Sequence, residues 1–306
     1  MPLVTGLDIL APARDGRYGV GAYNTDNLET TLAIIEAAET TRSPVMLAIT
    51  ASAMKYSRGR VVDIALAEAR DATVPVAVHL DHGQSFEDCL RCIRAGFTSV
   101  MIDKSHEDEA TNTRETRRVV DAAHAVGVSV EAEIGRLIDA ANRVAVSEEN
   151  ATLTTADEAE RFVRATGVDT LAIAVGTAHG PNKGIGRPEI AQGRIREIAA
   201  RVSVPLVMHG ASSIPEALVA RYKAAGGALE NAVGIHDEDI REAIAGGMAK
   251  VNVGTDLRIA ASTAVRETVG AKPGEIDLRK ILAPAREEMA RVIAEKMRLL
   301  GSAGKA

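Results

Sequence analysis

The chain has 306 residues, 46% of them hydrophobic and only 2% aromatic, with no tryptophan. That length and apolar content support a large core filled by Ala, Val, Ile and Leu, as in parallel α/β folds. A net charge of -6 argues against nucleic-acid or membrane-surface binding, no apolar run approaches a membrane span, and MPLVTGLDIL lacks the basic start and long apolar stretch of a signal peptide.

In chain order, eight short apolar runs appear: GVGAYN, PVMLAIT, PVAVHLDH, SVMIDK, VSVEAEIG, TLAIAVG, PLVMHG and AKVNVG. Helical patterns alternate with them, among them NLETTLAIIEAAETT, GRVVDIALAEARDA, TNTRETRRVVDAAHAVG and TADEAERFVRATG. Their apolar residues recur at i, i+3 and i+4. Eight β/α units predict an α/β fold of the (β/α)8 (TIM) barrel type, with a doubly wound sheet as the alternative. No Gly/Ser linker or composition shift divides the chain, so residues 1–306 read as one domain. A polar segment at 136–156 follows the fifth strand. Extra helix is expected at 212–248, after strand seven. From about Asp277 a charged amphipathic helix is expected to pack outside the barrel or on a partner.

The only cysteines, Cys89 and Cys92, sit at i, i+3 in SFEDCLRCIRAG. No second pair exists to complete a zinc site, so they read as helix packing in a reducing cytoplasm.

Barrel chemistry sits at the carboxyl ends of the strands. Of seven histidines, His82, His179 and His209 lie at or just past the ends of strands three, six and seven. Asp81, Asp103, Glu133 and Asn252 fall at the ends of strands three, four, five and eight. Any single histidine reads as a hydrogen-bonded structural residue. Three converging from separate strands make a zinc site with a position open to water or substrate. His106, His124 and His236 fall in loop or helix patterns and read as solvated. In VHLDHG, His79 and Asp81 share a face by alternation. His82 must be brought round where the chain leaves the strand at Gly83, and His79 reads as a supporting or inner-barrel residue. GTAHGPNKG, HGASS and NVGTDLR follow strands six, seven and eight, where barrels often bind phosphate.

These motifs, in this order and spacing, resemble the class II, zinc-dependent ketose-bisphosphate aldolases. The likeness runs from GAYNTDNLET to the GSAGKA tail and favours a fructose-bisphosphate over a tagatose-bisphosphate branch. It implies one catalytic Zn2+ on His82, His179 and His209, with room for a second or a monovalent cation. It implies Asp81 as the acid/base at the C4 oxygen, with Asp103 and Glu133 beside the metal, at an alternative metal position. Gly180, Lys183, Gly210, Ser212, Asn252 and Thr255 would hold the dihydroxyacetone-phosphate part. Asn24, Thr50 and Ser52 match positions near the other sugar end. Arg258 and Arg279 are candidates for the far phosphate or solvated helix charges. The resemblance also implies a phosphorylated ketose substrate, a homodimer or homotetramer, a cytoplasmic location, and no nucleic-acid or membrane partner.

The sequence departs from the family pattern in three places. Ala141 and Asn142 stand where the family carries an acidic pair that exchanges the C3 proton, leaving Asp139, Glu148 or Glu149 as substitutes. The aromatic after AHG is absent, and Gly254 lies between Asn252 and Thr255. Three readings follow: a zinc aldolase on fructose 1,6-bisphosphate or a relative, a metal-dependent sugar-phosphate epimerase or isomerase, and a phosphosugar-binding protein without catalysis. Asp81, retained where bond cleavage needs a base, favours the first.

Overall fold

The computed structural model of the chain describes residues 2–135, 138–139, 153–179, 189–229 and 234–306, with the backbone alone at 138–139 and 178–179. The eight apolar runs form the eight parallel strands of a closed barrel. They are β1 Val20–Asn24, β2 Val45–Thr50, β3 Val76–Gly83, β4 Ser99–Ile102, β5 Ser129–Ile134, β6 Thr170–Ile173, β7 Leu206–Met208 and β8 Met248–Val253. Each pairs with its neighbour in sequence, and β8 returns to β1 with Val20 opposite Lys250 and Ala22 opposite Asn252. The expected barrel is therefore the observed architecture. Helices Glu216–Ala224 and Asp237–Gly246 lie between β7 and β8, as the pattern implied. Helix Leu278–Leu300 packs on helices Leu28–Thr41 and Thr255–Ala271, outside the barrel, and buries Met289, Val292, Ile293 and Met297. No helix among the described residues is long and apolar enough to cross a membrane.

Alternation sorts the strand residues into two cores. Outward residues such as Leu47, Val78, Leu80 and Val100 pack under the helices. Inward residues at the amino end are small: Ala22, Ala48, Ala77 and Ala249, with Val20 and Met46. The space they leave is filled by helix Gly6–Gly16, whose Ile9, Leu10 and Ala13 join the same cluster. Sequence patterning gave no sign of this plug. Its start is fixed by a capping box, Thr5 with Asp8, and by the Gly6 N–H donating to Ser129 Oγ at 3.0 Å. A Cβ at Gly6 would lie 2.7 Å from Ser99 Oγ, so a larger residue there would have to displace that hydroxyl.

Higher in the barrel the inward residues turn polar. His79, Glu131 and Lys250 form one buried layer, and Asp81, Glu133 and Asn252, each two residues further along, form the next. The carboxyl half of the interior is thus a charged floor and a rim rather than apolar filling.

Cys89 and Cys92 are buried on helix Phe86–Ala95. Burial pushes both thiols up to about 12, in keeping with inert packing residues.

Candidate active site

His82 is placed by a break in strand regularity. The β3–β4 register shifts between Leu80 and Gly83, and His82 has φ 54°, a left-handed conformation costing roughly 1–2 kcal/mol for a residue with a Cβ. By alternation His82 would point outward like Leu80; the bulge returns it to the mouth of the barrel. Gly83 permits this, because a Cβ there would lie 2.4 Å from the Met101 carbonyl oxygen. The same close approach lets the Asp103 N–H donate to the Gly83 carbonyl at 2.8 Å. Asp103 Oδ2 then lies 2.7 Å from His82 Nδ1.

His209 follows β7 and is 1% exposed. Its Nδ1 is 2.9 Å from Glu133 Oε2 and its Nε2 3.0 Å from Glu131 Oε1. The His82 and His209 ring centroids are 4.7 Å apart. Burial disfavours a charged His209, but Glu133 and Glu131 outweigh it and raise its pKa to about 10. Burial opposes protonation of His82 too, yet its bond to Asp103, with Asp81 and Glu133 nearby, raises it. Burial would raise Asp103, while its bonds to His82 and Ser105 hold it well below the usual carboxylate range.

Asp81, buried on β3, is held from two sides. Asn24 Nδ2 donates to Oδ2 at 2.8 Å and Asn252 Nδ2 to Oδ1 at 3.0 Å. Burial pushes its pKa up, but His82, Lys250 and His209 prevail and bring it to about 2. Asp81 is therefore a carboxylate at neutral pH.

Among the described residues, two groups of side chains have the donor chemistry for a metal ion: Asp81, His82 and His209, and His82, Asp103 and Glu133. In each, the ligand atoms lie within 4.8 Å of one another. Imidazole with carboxylate suits zinc and its neighbours among the divalent metals. The residues present fit such an ion.

A cleft of about 500 Å3 opens over these residues. Of the residues anticipated for substrate, Asn24, Thr50, Gly210, Ser212, Asn252 and Thr255 line it together with Asp81 and His82. Ser52 instead faces Thr50, with the two hydroxyl oxygens 2.8 Å apart. Arg258 reaches the cleft, whereas Arg279 is 91% exposed and pairs with Asp277 away from it. His179 lies in a two-residue strand beyond β6 that pairs with 138–139; its side chain, like that of Asp139, is outside the described residues. Gly180, Lys183, Ala141, Asn142, Glu148 and Glu149 are outside them altogether. His106 and His124 are 58% and 43% exposed and His236 is exposed, but His124 is not simply solvated: its Nε2 lies 2.9 Å from Asp169 Oδ2.

One wall of the cleft carries the amino end of a helix. Helix Thr255–Ala271 begins there without a side-chain cap, so its positive end faces the space. Gly210, at φ 61°, turns the chain after His209 toward Ser212. This loop is gripped from behind by Lys296, whose ammonium donates to the Ser213 carbonyl and lies 3.3 Å from Asp256. Sequence reasoning missed Lys296, which sits on a remote helix with nothing local to distinguish it. It also missed Glu131 and Lys250. Here a signal existed: each lies two residues before an anticipated rim residue and so shares its inward face.

A closed parallel barrel with its imidazoles, carboxylates and a helix amino end at the carboxyl rim defines the class of α/β-barrel proteins that work at that face. The family model for class-II fructose-bisphosphate aldolase matches residues 4–305. A fructose-bisphosphate aldolase of Thermus caldophilus is 56% identical over 99% of this chain and 100% of its own length. One from Helicobacter pylori strain J99 is 44% identical over 99% of both. The crystal structure of the YdjI aldolase from Escherichia coli K12 superposes with a TM-score of 0.80 at 31% identity, covering 99% of each chain. The chain belongs to the class-II fructose-bisphosphate aldolase family, and it is a lyase.

Proposed function

We infer that this chain catalyses the reversible aldol cleavage of fructose 1,6-bisphosphate to dihydroxyacetone phosphate and glyceraldehyde 3-phosphate. The observation that carries the reading is Asp81, an ionised carboxylate held between Asn24 and Asn252 in the cleft, beside His82 and His209. Each Asp81 oxygen receives one amide N–H and keeps a lone pair for a proton. In cleavage Asp81 takes the C4 hydroxyl proton as the C3–C4 bond breaks, and in synthesis it returns it. The anion-binding wall at Ser212 and the start of helix Thr255–Ala271 holds the phosphate next to the ketose carbonyl. Asn24 and Thr50 orient the other end of the sugar.

His82, His209 and His179 would hold a zinc ion, with Asp103 and Glu133 beside it. When bound, Zn2+ supplies a Lewis acid that stabilises negative charge on the ketose carbonyl oxygen. Asp81 is kept for proton transfer, not ligation. We read residues 1–306 as one barrel unit working in the cytoplasm as a homodimer or homotetramer, as the family suggests.

Ala141 and Asn142, in place of an acidic pair, favour weak C3-proton exchange and keep a neighbouring reading in view: another ketose bisphosphate, or epimerisation on the same scaffold. A screen of fructose and tagatose bisphosphates and ketose 1-phosphates, with and without added Zn2+, tests this. Two trioses from fructose 1,6-bisphosphate are expected; a single rearranged sugar, or no turnover of any ketose, would overturn the reading.

A further inference from the structure

Directly beneath the rim lies a group of buried side chains to which no step of the reaction above is assigned. Lys250 is 0% exposed, Glu131 1% and His79 0%, and none of them lines the cleft. An ammonium has three N–H donors. Around Lys250 Nζ there are three acceptors: Glu131 Oε1 and Oε2, each at 2.8 Å, and His79 Nε2 at 3.2 Å. Since His79 Nε2 accepts, its proton is on Nδ1, which is 2.8 Å from Ser99 Oγ. Thr170 Oγ1 approaches Glu131 Oε2 at 3.4 Å. Every partner thus fixes the Glu131 carboxylate in one orientation. Its Oε1 also receives His209 Nε2 at 3.0 Å.

Burying such a pair is costly, and well-packed apolar residues of similar size often do as well for stability. The arrangement makes sense as a means of controlling what stands on it. We infer that Glu131 and Lys250 are positioning residues for His209. Glu131 holds the Nε2–H, which leaves Nδ1 as the atom offered to a metal at the rim. Lys250 keeps Glu131 charged and oriented for that task, and His79 with Ser99 keeps Lys250 in place. On its other side Nδ1 lies 2.9 Å from Glu133, which belongs to the rim donor groups, so the imidazole spans floor and rim. A carboxylate behind a ligating imidazole fixes both its tautomer and its ring plane. The inference rests on the reading of His209 as a metal ligand.

Two double variants separate orientation from charge. Glu131→Gln with Lys250→Met keeps an acceptor for the Nε2–H and removes both charges. Glu131→Met with Lys250→Met removes the charges and the acceptor. Zinc affinity of the full chain is measured by chelator competition, and Co2+-loaded protein is compared by its visible spectrum. The Gln variant is expected to bind zinc about tenfold to a hundredfold more tightly than the Met variant, and to keep the wild-type cobalt spectrum. Equal affinities and equal spectra in two folded variants would overturn the inference. Wild-type protein that binds no zinc would instead defeat the assignment of the metal site itself. If either variant fails to fold by circular dichroism, the crystal structure of zinc-loaded wild type decides. Zinc on His209 Nδ1, with Nε2 still on Glu131, supports the inference; zinc on Nε2 overturns it.

Discussion

Asn252 and Asp81 meet across the mouth of the barrel: Nδ2 of Asn252 donates to Oδ1 of Asp81 at 3.0 Å, while the Oδ1 of Asn252 is buried with no hydrogen-bond partner among the described residues. A buried acceptor left open at a cleft is suited to a substrate hydroxyl. Asp81→Ala should lower cleavage by roughly a hundredfold or more, the scale of a lost acid/base, while zinc content stays unchanged. Gly254→Ala should lower activity with Asp81 intact, because a Cβ at residue 254 would come 2.1 Å from Asn24 Oδ1 and push Asn24 off Asp81. Steady-state cleavage rates with metal analysis check both; a fully active Asp81→Ala variant would remove Asp81 from the chemistry.

Chelation should abolish activity and expose a pH dependence of stability. In metal-free protein burial disfavours the His209 imidazolium, yet Glu133 and Glu131 raise its pKa to about 10. Its contribution is complete below the unfolded value of about 6.5 and is lost as pH rises toward 10. The urea midpoint of EDTA-treated protein should therefore fall across that window, and fall less in His209→Asn. Adding Zn2+ or Co2+ should restore activity. Parallel curves for wild type and variant would show that His209 is not the titrating group.

The phosphate wall predicts a binding effect without a chemical one. Ser212→Ala should weaken a dihydroxyacetone-phosphate analogue by about tenfold, the loss expected for one hydrogen bond to a charged group. Isothermal titration is the direct measurement. Unchanged affinity would move the phosphate elsewhere in the cleft.

The residues that follow β5 in sequence predict a separation of two proton transfers. Exchange of the C3 proton of dihydroxyacetone phosphate with solvent needs no aldehyde. It should be slow in wild type and faster in Ala141→Glu, followed by deuterium uptake. Rapid wild-type exchange, lost on changing Asp139, Glu148 or Glu149, would mean that another carboxylate already serves.

The sequence alone marked the eight strands, as apolar runs of strand length alternating with helical periodicity; this pattern left a closed barrel or a doubly wound sheet, and the pairing of β8 with β1 decides for the barrel. The sequence also determined that Asp81, Asp103, Glu133, His209 and Asn252 share one rim, since each falls where a strand ends. Local pattern could not reach the rest. That His82 turns at Gly83 is legible in VHLDHG, but the register shift against β4 and the approach of Gly83 to Met101 that produce the turn are not encoded by any periodicity within β3. The plug at Gly6–Gly16 is defined by the alanines it meets on other strands. The support of His209 by Glu131 joins residues 78 apart, and the contact of Lys250 with His79 joins residues 171 apart. Only closing the barrel brings those groups within hydrogen-bond distance, and only there does burial make their charges depend on one another.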